Sequence, residues 1–269
     1  MTAASTGSAR RLRQAQGTGL PTWLRFVAPV VVGGLIAVAW TVYVEVGNAP
    51  RMLPSPVAIL EEFVKRWGII SEDMLITATN ALVGLVAGTV LAVIFAGLAA
   101  TSRIIDGMIA PLVAALAVVP IVAITPILNT MYGASSQFGR IAVATIAAFI
   151  PVFVNVLRGL RQTRPVHRDL MRASAATNGQ TFRMLTLPTA VPYLMTGLRI
   201  ASSLAVIAAL VAEYFGGPAD GIGTAIATYA KSGRADLAWA YVLGGILIGL
   251  VFFLVTSLLE RLATRHSPG

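Results

Sequence analysis

The sequence predicts an all-α integral membrane protein. It has six transmembrane helices, both termini on the inner side (N-in, C-in) and a two-helix loop projecting on that side. Three observations carry this. First, 57% of the 269 residues are apolar, 12% are charged, and the mean hydropathy is +0.80. A soluble domain is about 45–50% apolar and about 25% charged, so charges this sparse cannot coat a water-soluble globule. Second, crossing the hydrocarbon takes about 20 apolar residues, and suitable stretches centre near 26–46, 76–100, 107–131, 139–158, 189–212 and 237–259. Third, the basic residues divide unevenly. With an inner N-terminus, most arginines, among them Arg10, Arg11, Arg13, Arg103, Arg158, Arg161 and Arg164, fall inside. Arg51, Lys65, Arg66, Arg140, Lys231 and Arg234 fall outside, where most of the acids also lie. That asymmetry is the positive-inside pattern.

Composition also excludes chemistry. The chain has no Cys, which removes disulfides, thiolate metal sites and Cys nucleophiles. Its two His, His167 and His266, are far apart in the sequence. A membrane enzyme would need Asp, Glu or His clustered near one membrane face, and no such cluster is visible. The net charge of +9 is accounted for by topology, which disfavours nucleic acid as a partner. An ion-coupled secondary transporter, the alternative reading, would bring ionisable residues into mid-span and often internal repeats. Neither is seen.

The elements follow in order. Residues 1–20 read as a disordered basic arm. Phe26–Val46 is longer than a signal-peptide core and lacks a following A-x-A-like cleavage site, so it is read as a retained helix. The outer loop 47–75 holds Leu53-Pro-Ser-Pro56 and an amphipathic stretch, Val57–Trp67. The second span carries Gly84-x-x-x-Gly88, a spacing that lets helices approach closely in lipid. The third holds Pro111, Pro120 and Pro126, so it lines a pathway or bends around one. The fourth contains Pro151 and Asn155. The fifth ends near Glu213, which is expected at the outer surface. The outer loop 213–236 carries Gly216-Gly217-Pro218 and a short helix, Thr224–Lys231. The sixth span holds Gly244-Gly-x-x-x-Gly249. The organisation is thus an arm, 1–20, a membrane domain, 21–262, and a tail, 263–269.

Polar residues inside spans must face a cavity or another helix. Asn80, Thr125, Asn129, Asn155, Ser202 and Ser203 are the candidates for a translocation pathway, each competing with a helix–helix hydrogen bond. Arg199 either snorkels to headgroups or pairs with the inner loop.

The inner loop 158–188 is long for a hairpin. Leu170, Ala173, Ala176 or Thr177, Phe182, Leu185 and Leu187 recur at helical spacing, and Asn178-Gly179 is a turn signal between the two halves. Two short helices joined at Asn178-Gly179 are expected; a plain basic loop that holds topology has the same look.

This stretch resembles the cytoplasmic signature loop of binding-protein-dependent ABC importer permeases, which runs E-A-A, three residues, Gly, then a spacer to Leu-Pro. Alignment on Gln180-Thr-Phe182 and Leu187-Pro188 puts Asp169 on the Glu, Leu170 and Met171 on the two Ala, and Ala175 on the Gly. Ala lacks the freedom of Gly at positive φ, and Asn178-Gly179 is expected to supply the turn instead. The resemblance extends over about residues 50–260. Leu53-Pro-Ser-Pro56, Pro120, Pro126, Tyr132-Gly133, Pro151, Asn155, Gly159, Pro192, Gly197-Leu-Arg-Ile-Ala201, Ala212-Glu-Tyr-Phe-Gly-Gly217 and Gly221-Ile-Gly223 follow in the family's order. The likeness is strongest to the branch importing nitrate, taurine, alkanesulfonates and pyrimidine or vitamin precursors.

The resemblance implies a permease subunit without enzymatic activity, in the bacterial inner membrane. It implies a second permease copy forming a homodimer, two cytoplasmic ATPase subunits and an external solute-binding protein. The chain has no G-x-x-x-x-G-K-[ST] run, so it is expected to hold no cofactor, with ATP and Mg bound by the partner ATPase. Loop 165–187 would act as the coupling loop through Arg168, Asp169, Arg172, Ala173, Ala175, Ala176, Asn178, Gly179, Phe182, Leu187 and Pro188. The small side chains would permit close approach to the ATPase and the charged ones would contact its rim.

Overall fold

The computed structural model describes residues 22–47, 50–133, 136–216 and 220–265; the side chains of 22–26, 121 and 122 are not part of that description. The basic arm 1–20, Gly217-Pro218 and the end of the tail, 266–269, lie outside the described residues. All regular structure among the described residues is helical. The chain divides into two units, Met1–Val57 and Ala58–Gly269. The first holds α1 (Thr22–Glu45), whose stretch Val27–Glu45 is apolar and long enough to cross a membrane.

The second unit is built on α3 (Trp67–Thr101), α6 (Gln137–Arg161), α9 (Leu187–Phe215) and α11 (Ala235–Thr264). It begins within α2 (Pro56–Lys65), whose Ile59 and Phe63 are buried, so the amphipathic stretch forms the expected helix. At 35 residues, α3 runs to about 52 Å at 1.5 Å per residue. It therefore outreaches the roughly 30 Å hydrocarbon, and its two acids, Glu72 and Asp73, stand near its first end.

Helix α6 packs on both α3 and α9, which also touch each other, and α11 packs on α9 and on α3. Small residues make the first contact possible. A Cβ on Gly84 would run into the Ala144 side chain, and one on Gly88 would lie 2.9 Å from that of Ala148. The buried positions of this seam are largely alanine: Ala81, Ala92, Ala96, Ala144 and Ala148. Dispersion between closely approaching backbones, rather than large interdigitating side chains, holds these helices together.

Among the described residues, five helices are long and apolar enough to cross a membrane, or six if the pair α4 (Arg103–Val118) and α5 (Ile121–Tyr132) counts as one span; that pair is bent by 97°. The sequence placed one Pro-rich span at 107–131. The bend falls at Val119-Pro120, where both residues are extended and Pro120 caps α5. The residue before a proline is driven out of the helical region, which explains why the break falls there. Pro111 and Pro126 stay within α4 and α5.

Candidate functional site

At one end of the bundle the chain leaves α6 and enters α7 (Pro165–Ala173). Pro165 occupies the first turn, where its missing N–H is no loss. Arg168 Nε donates to Thr163 Oγ1 at 2.6 Å, fastening α7 to the end of α6. Asp169 and Arg172 pair at 3.2 Å across one turn with both side chains largely in solvent, so the pair adds little stability.

The turn that follows differs from the expectation. Ala175 has φ +52°, the one non-glycine residue with positive φ among those described. Its N–H donates to Arg172 O at 2.9 Å, and the Ala176 N–H donates to Met171 O at 3.0 Å. This is the Schellman arrangement, with the left-handed residue just past the helix end. The left-handed position is thus the one aligned with the signature glycine, and Ala175 occupies it despite its Cβ. Asn178-Gly179 does not supply the turn. Both residues lie in the first turn of α8 (Asn178–Thr181), capped by Thr177. Thr177 Oγ1 accepts from Gln180 N at 3.3 Å, and Gln180 Oε1 accepts from Thr177 N at 2.7 Å. That capping box was readable in the sequence as Thr177-x-x-Gln180, and the Asn-Gly pair outweighed it.

The second half of the loop is not a separate helix either. From α8 the backbone passes through a π-helical turn, Phe182–Thr186, directly into α9, so Asn178–Phe215 runs unbroken over 38 residues. A loop residue and a membrane span thus share one helical rod. Leu187 and Pro188 form the first turn of α9.

Most of the coupling candidates lie at the surface: Arg168, Asp169, Arg172, Ala173, Ala175, Asn178, Gly179, Phe182, Leu187 and Pro188 are exposed, and Ala176 is half-buried. Three further apolar side chains, Val166, Leu170 and Met184, are exposed beside them. Leu170 and Phe182, which recur at helical spacing in the sequence, both face outward. Periodicity reports that a face is apolar and not which partner covers it.

Two side-chain clusters brace this end of the bundle. Arg161 Nη2 pairs with Asp106 Oδ1 at 2.9 Å and donates to Ala99 O at 3.2 Å, joining α6, α4 and α3. Arg199 Nη1 pairs with Glu260 Oε2 at 2.9 Å, while Thr196 Oγ1 donates to Glu260 Oε1 at 2.7 Å. Arg199 therefore pairs with α11 rather than with the inner loop. Ser202 and Thr256 share a 3.0 Å hydrogen bond farther along the same α9–α11 seam.

The opposite end holds a cluster that sequence reasoning missed. Glu213 has no exposed surface, against the expectation of a surface residue. Its Oε2 accepts from Thr77 Oγ1 at 2.8 Å and from Gly223 N at 3.0 Å. Thr77 Oγ1 in turn accepts from Ile222 N at 3.0 Å, and Asp73 Oδ1 accepts from Gly221 N at 2.9 Å. The first N–H groups of α10 (Ile222–Lys231), together with Gly221 N, are thus taken by side chains of α3 and α9. This is where a helix dipole favours carboxylates. A Cβ on Gly221 would lie 2.7 Å from the Glu213 carboxylate, and φ is +97° there, so glycine is needed on both counts.

Beside it, Arg140 is 1% exposed and its Nη1 bonds Asp220 Oδ1 at 2.8 Å and Gln137 Oε1 at 3.1 Å. Burial pushes the Asp220 carboxyl up, but hydrogen bonds from Arg140 and Gln137 outweigh it and hold the group below its ordinary value.

The pathway candidates fall into separate places. Asn80 is buried and donates to Gln137 Oε1 at 2.7 Å, next to this cluster. The Asn129 amide lies against Gly139 and Gly216. Thr125 is buried in α5. Asn155 donates to Pro151 O of its own helix at 2.8 Å. Ser202 is spent on Arg199 O and Thr256, and Ser203 borders an apolar groove between α9 and α11. The structure brings Asn80 to the Glu213 cluster and does not bring the six together.

Comparison with known proteins agrees with this architecture. The chain is 32% identical over 187 residues to a formylaminopyrimidine transport permease protein of Halalkalibacterium halodurans, covering 68% of this chain and 73% of the relative. It is 27% identical to a nitrate import permease protein of Synechocystis, covering 97% of each chain. It is 26% identical to a taurine transport system permease protein of Escherichia coli, covering 87% of this chain and 86% of that one. Among solved structures it shares its fold with a chain of the MetNI methionine ABC transporter in an inward-facing form. The TM-score is 0.63 at 18% identity, over 73% of this chain and 97% of that one. The family model described as binding-protein-dependent transport system inner membrane component matches residues 84–266. The chain therefore belongs to that family, the inner-membrane permeases of binding-protein-dependent ABC transport.

Proposed function

We propose that this chain is the permease subunit of an ATP-driven importer, and that it moves a small solute inward by alternating access. In this reading the end of the bundle carrying 158–188 faces the cytoplasm, with six spans and both termini inside. A separate ATPase seats against α7 and α8, and it alone handles ATP and Mg. An external binding protein delivers the solute at the opposite end, and a second copy of the chain completes the pathway as a homodimer. The relatives carry names for nitrate, taurine and formylaminopyrimidine transport, which supports a small organic or anionic solute such as a sulfonate, nitrate or a pyrimidine or vitamin precursor.

The observation that carries this reading is the continuous helix Asn178–Phe215. It gives a surface projection a mechanical connection to a span packed on both α6 and α11. The projection bears exposed apolar groups and an exposed ion pair, the mixture that suits a protein partner rather than water. An ATPase pair that closes on ATP would pull on α7 and α8 and tilt α9 with them. The span would move as a rigid body between two states, with Asp169 and Arg172 touching the rim of the docking groove. The inner ion pairs Asp106–Arg161 and Arg199–Glu260 would hold neighbouring helices in step with it.

The test is affinity purification from mild detergent with a C-terminal tag, followed by mass spectrometry, ATPase assay and uptake. A stoichiometric ATPase is expected in the complex. Substitutions in 169–179 should lower ATPase association or its stimulation while the permease still inserts. Unchanged association, stimulation and uptake in those variants would overturn the coupling role.

A further inference from the structure

We propose that the crevice between α3, α4 and α6 binds one anionic phospholipid, its headgroup at the end carrying Arg161 and one acyl chain along the helices. A polar cleft of about 530 Å³ lies where α3 ends, α4 begins and α6 ends; Thr101, Ser102, Arg103, Asp106 and Arg161 line it. An apolar groove of about 310 Å³, bounded by Leu91, Phe95, Ile109, Leu112, Leu116 and Phe149, is formed by the same three helices. The two follow one another along the same helices: Asp106 and Leu116 both stand on α4, and Ala99 and Leu91 both on α3.

The dimensions match a lipid. From Asp106 to Leu116 the rise along α4 is about 15 Å, half of the roughly 30 Å hydrocarbon and so the depth of one leaflet. Phe95 and Phe149 meet edge to face at 6.0 Å and form the groove's floor. Leu91 and Leu112, in its walls, are 43% and 66% exposed.

The charge fits as well. Arg161 is held by Asp106 and the Ala99 carbonyl, which fixes its guanidinium while 46% of the side chain stays accessible. Asp106 offsets one of the two arginines. Arg103, which makes no ion pair among the described residues, leaves the cleft with one uncompensated positive charge. A guanidinium with its donors in a fixed fork is suited to phosphate, and basic pockets between helices at a membrane face take acidic headgroups. A soluble anion would use the cleft and leave the groove empty. The transport reading above enters only in naming the cytoplasmic leaflet as the source of the lipid.

The test reconstitutes the tagged, purified permease with whatever partners accompany it in nanodiscs of equal phosphatidylglycerol and phosphatidylcholine, then weighs bound lipid by native mass spectrometry. Phosphatidylglycerol should be retained over phosphatidylcholine by roughly fivefold, the equivalent of one arginine near an acidic headgroup. Arg103→Gln should remove that preference, Leu112→Trp should reduce retention of both lipids, and inorganic phosphate should displace neither. Elution volume and co-purified ATPase report separately on folding and on the transport reading. Equal retention of the two lipids, or a preference that survives Arg103→Gln, would overturn the proposal. So would displacement by phosphate, or crosslinking of the Leu112→Cys variant to a second copy of the chain in place of lipid.

Discussion

Replacing Ala175 with Gly tests the geometry of the projecting loop at a single atom. The residue sits at φ +52°, where an L side chain costs roughly 1–2 kcal/mol because Cβ crowds the following carbonyl oxygen. Glycine removes that penalty, but its greater freedom in the unfolded chain gives back about 0.4–1 kcal/mol. The net gain is about 0.5–1 kcal/mol, a factor of roughly 2–5 in the local opening equilibrium. Ala175 and Ala176 each donate to the last carbonyls of α7, so hydrogen exchange at those two amides reads the effect directly. Both should exchange about 2–5 times more slowly in Ala175→Gly. Ala175→Val, with a branched Cβ in the same place, should exchange faster than wild type. If both variants matched wild type, α7 would not be closed by a left-handed residue at 175, and the reasoning from the aligned signature glycine would fail with it.

Three other perturbations have defined outcomes. Gly88→Leu places a side chain against Thr145 O and Ala148, and overpacking of this kind costs about 1–3 kcal/mol or more; the thermal midpoint in detergent should fall, whereas Gly97→Leu, which meets nothing nearby, should leave it unchanged. Glu213→Ala leaves the buried Thr77 hydroxyl and Gly223 N–H without their acceptor, and a buried donor left unsatisfied costs about 1–3 kcal/mol; proteolysis within α10 should rise while cleavage in α7 does not. Asp220 has a folded-state value held below the ordinary 3.8, so its contribution is complete above the unfolded value and is lost only as pH falls through the lower folded one. Stability should therefore be unaffected through this pair between pH 7 and 5, and Asp220→Asn should flatten any loss that appears in strong acid.

The spans were legible because a bilayer demands long uncharged runs, and such runs can be counted. The bend at Val119-Pro120 was legible as a proline and not as an angle, since proline forbids a conformation at its neighbour without fixing where the chain goes next. In the loop, the motif placed a glycine-like requirement at Ala175, but Asn178-Gly179 gave a stronger local turn signal and drew the turn three residues too far along. The Glu213 cluster could not be read from the sequence. Its members are spread over Asp73, Thr77, Arg140, Glu213 and Asp220, and no local pattern announces that α3, α6 and α9 bring them to one end. The one local trace of it is Gly221-Ile-Gly223, two glycines whose N–H groups donate to the distant Asp73 and Glu213.

The most direct measurement of the central claim uses the absence of native Cys. A single Cys placed at Val166 or Leu170, both exposed on α7, is treated with a short bifunctional thiol crosslinker in inverted membrane vesicles containing the native partners. A permease driven through this loop predicts a crosslink to a cytoplasmic ATPase that changes in yield with ATP. The same probe at Lys231, beyond the opposite end, should give no such product. A loop accessible only from the outer side, or one that never captures an ATPase with or without nucleotide, would contradict the account and return ion-coupled transport to the front.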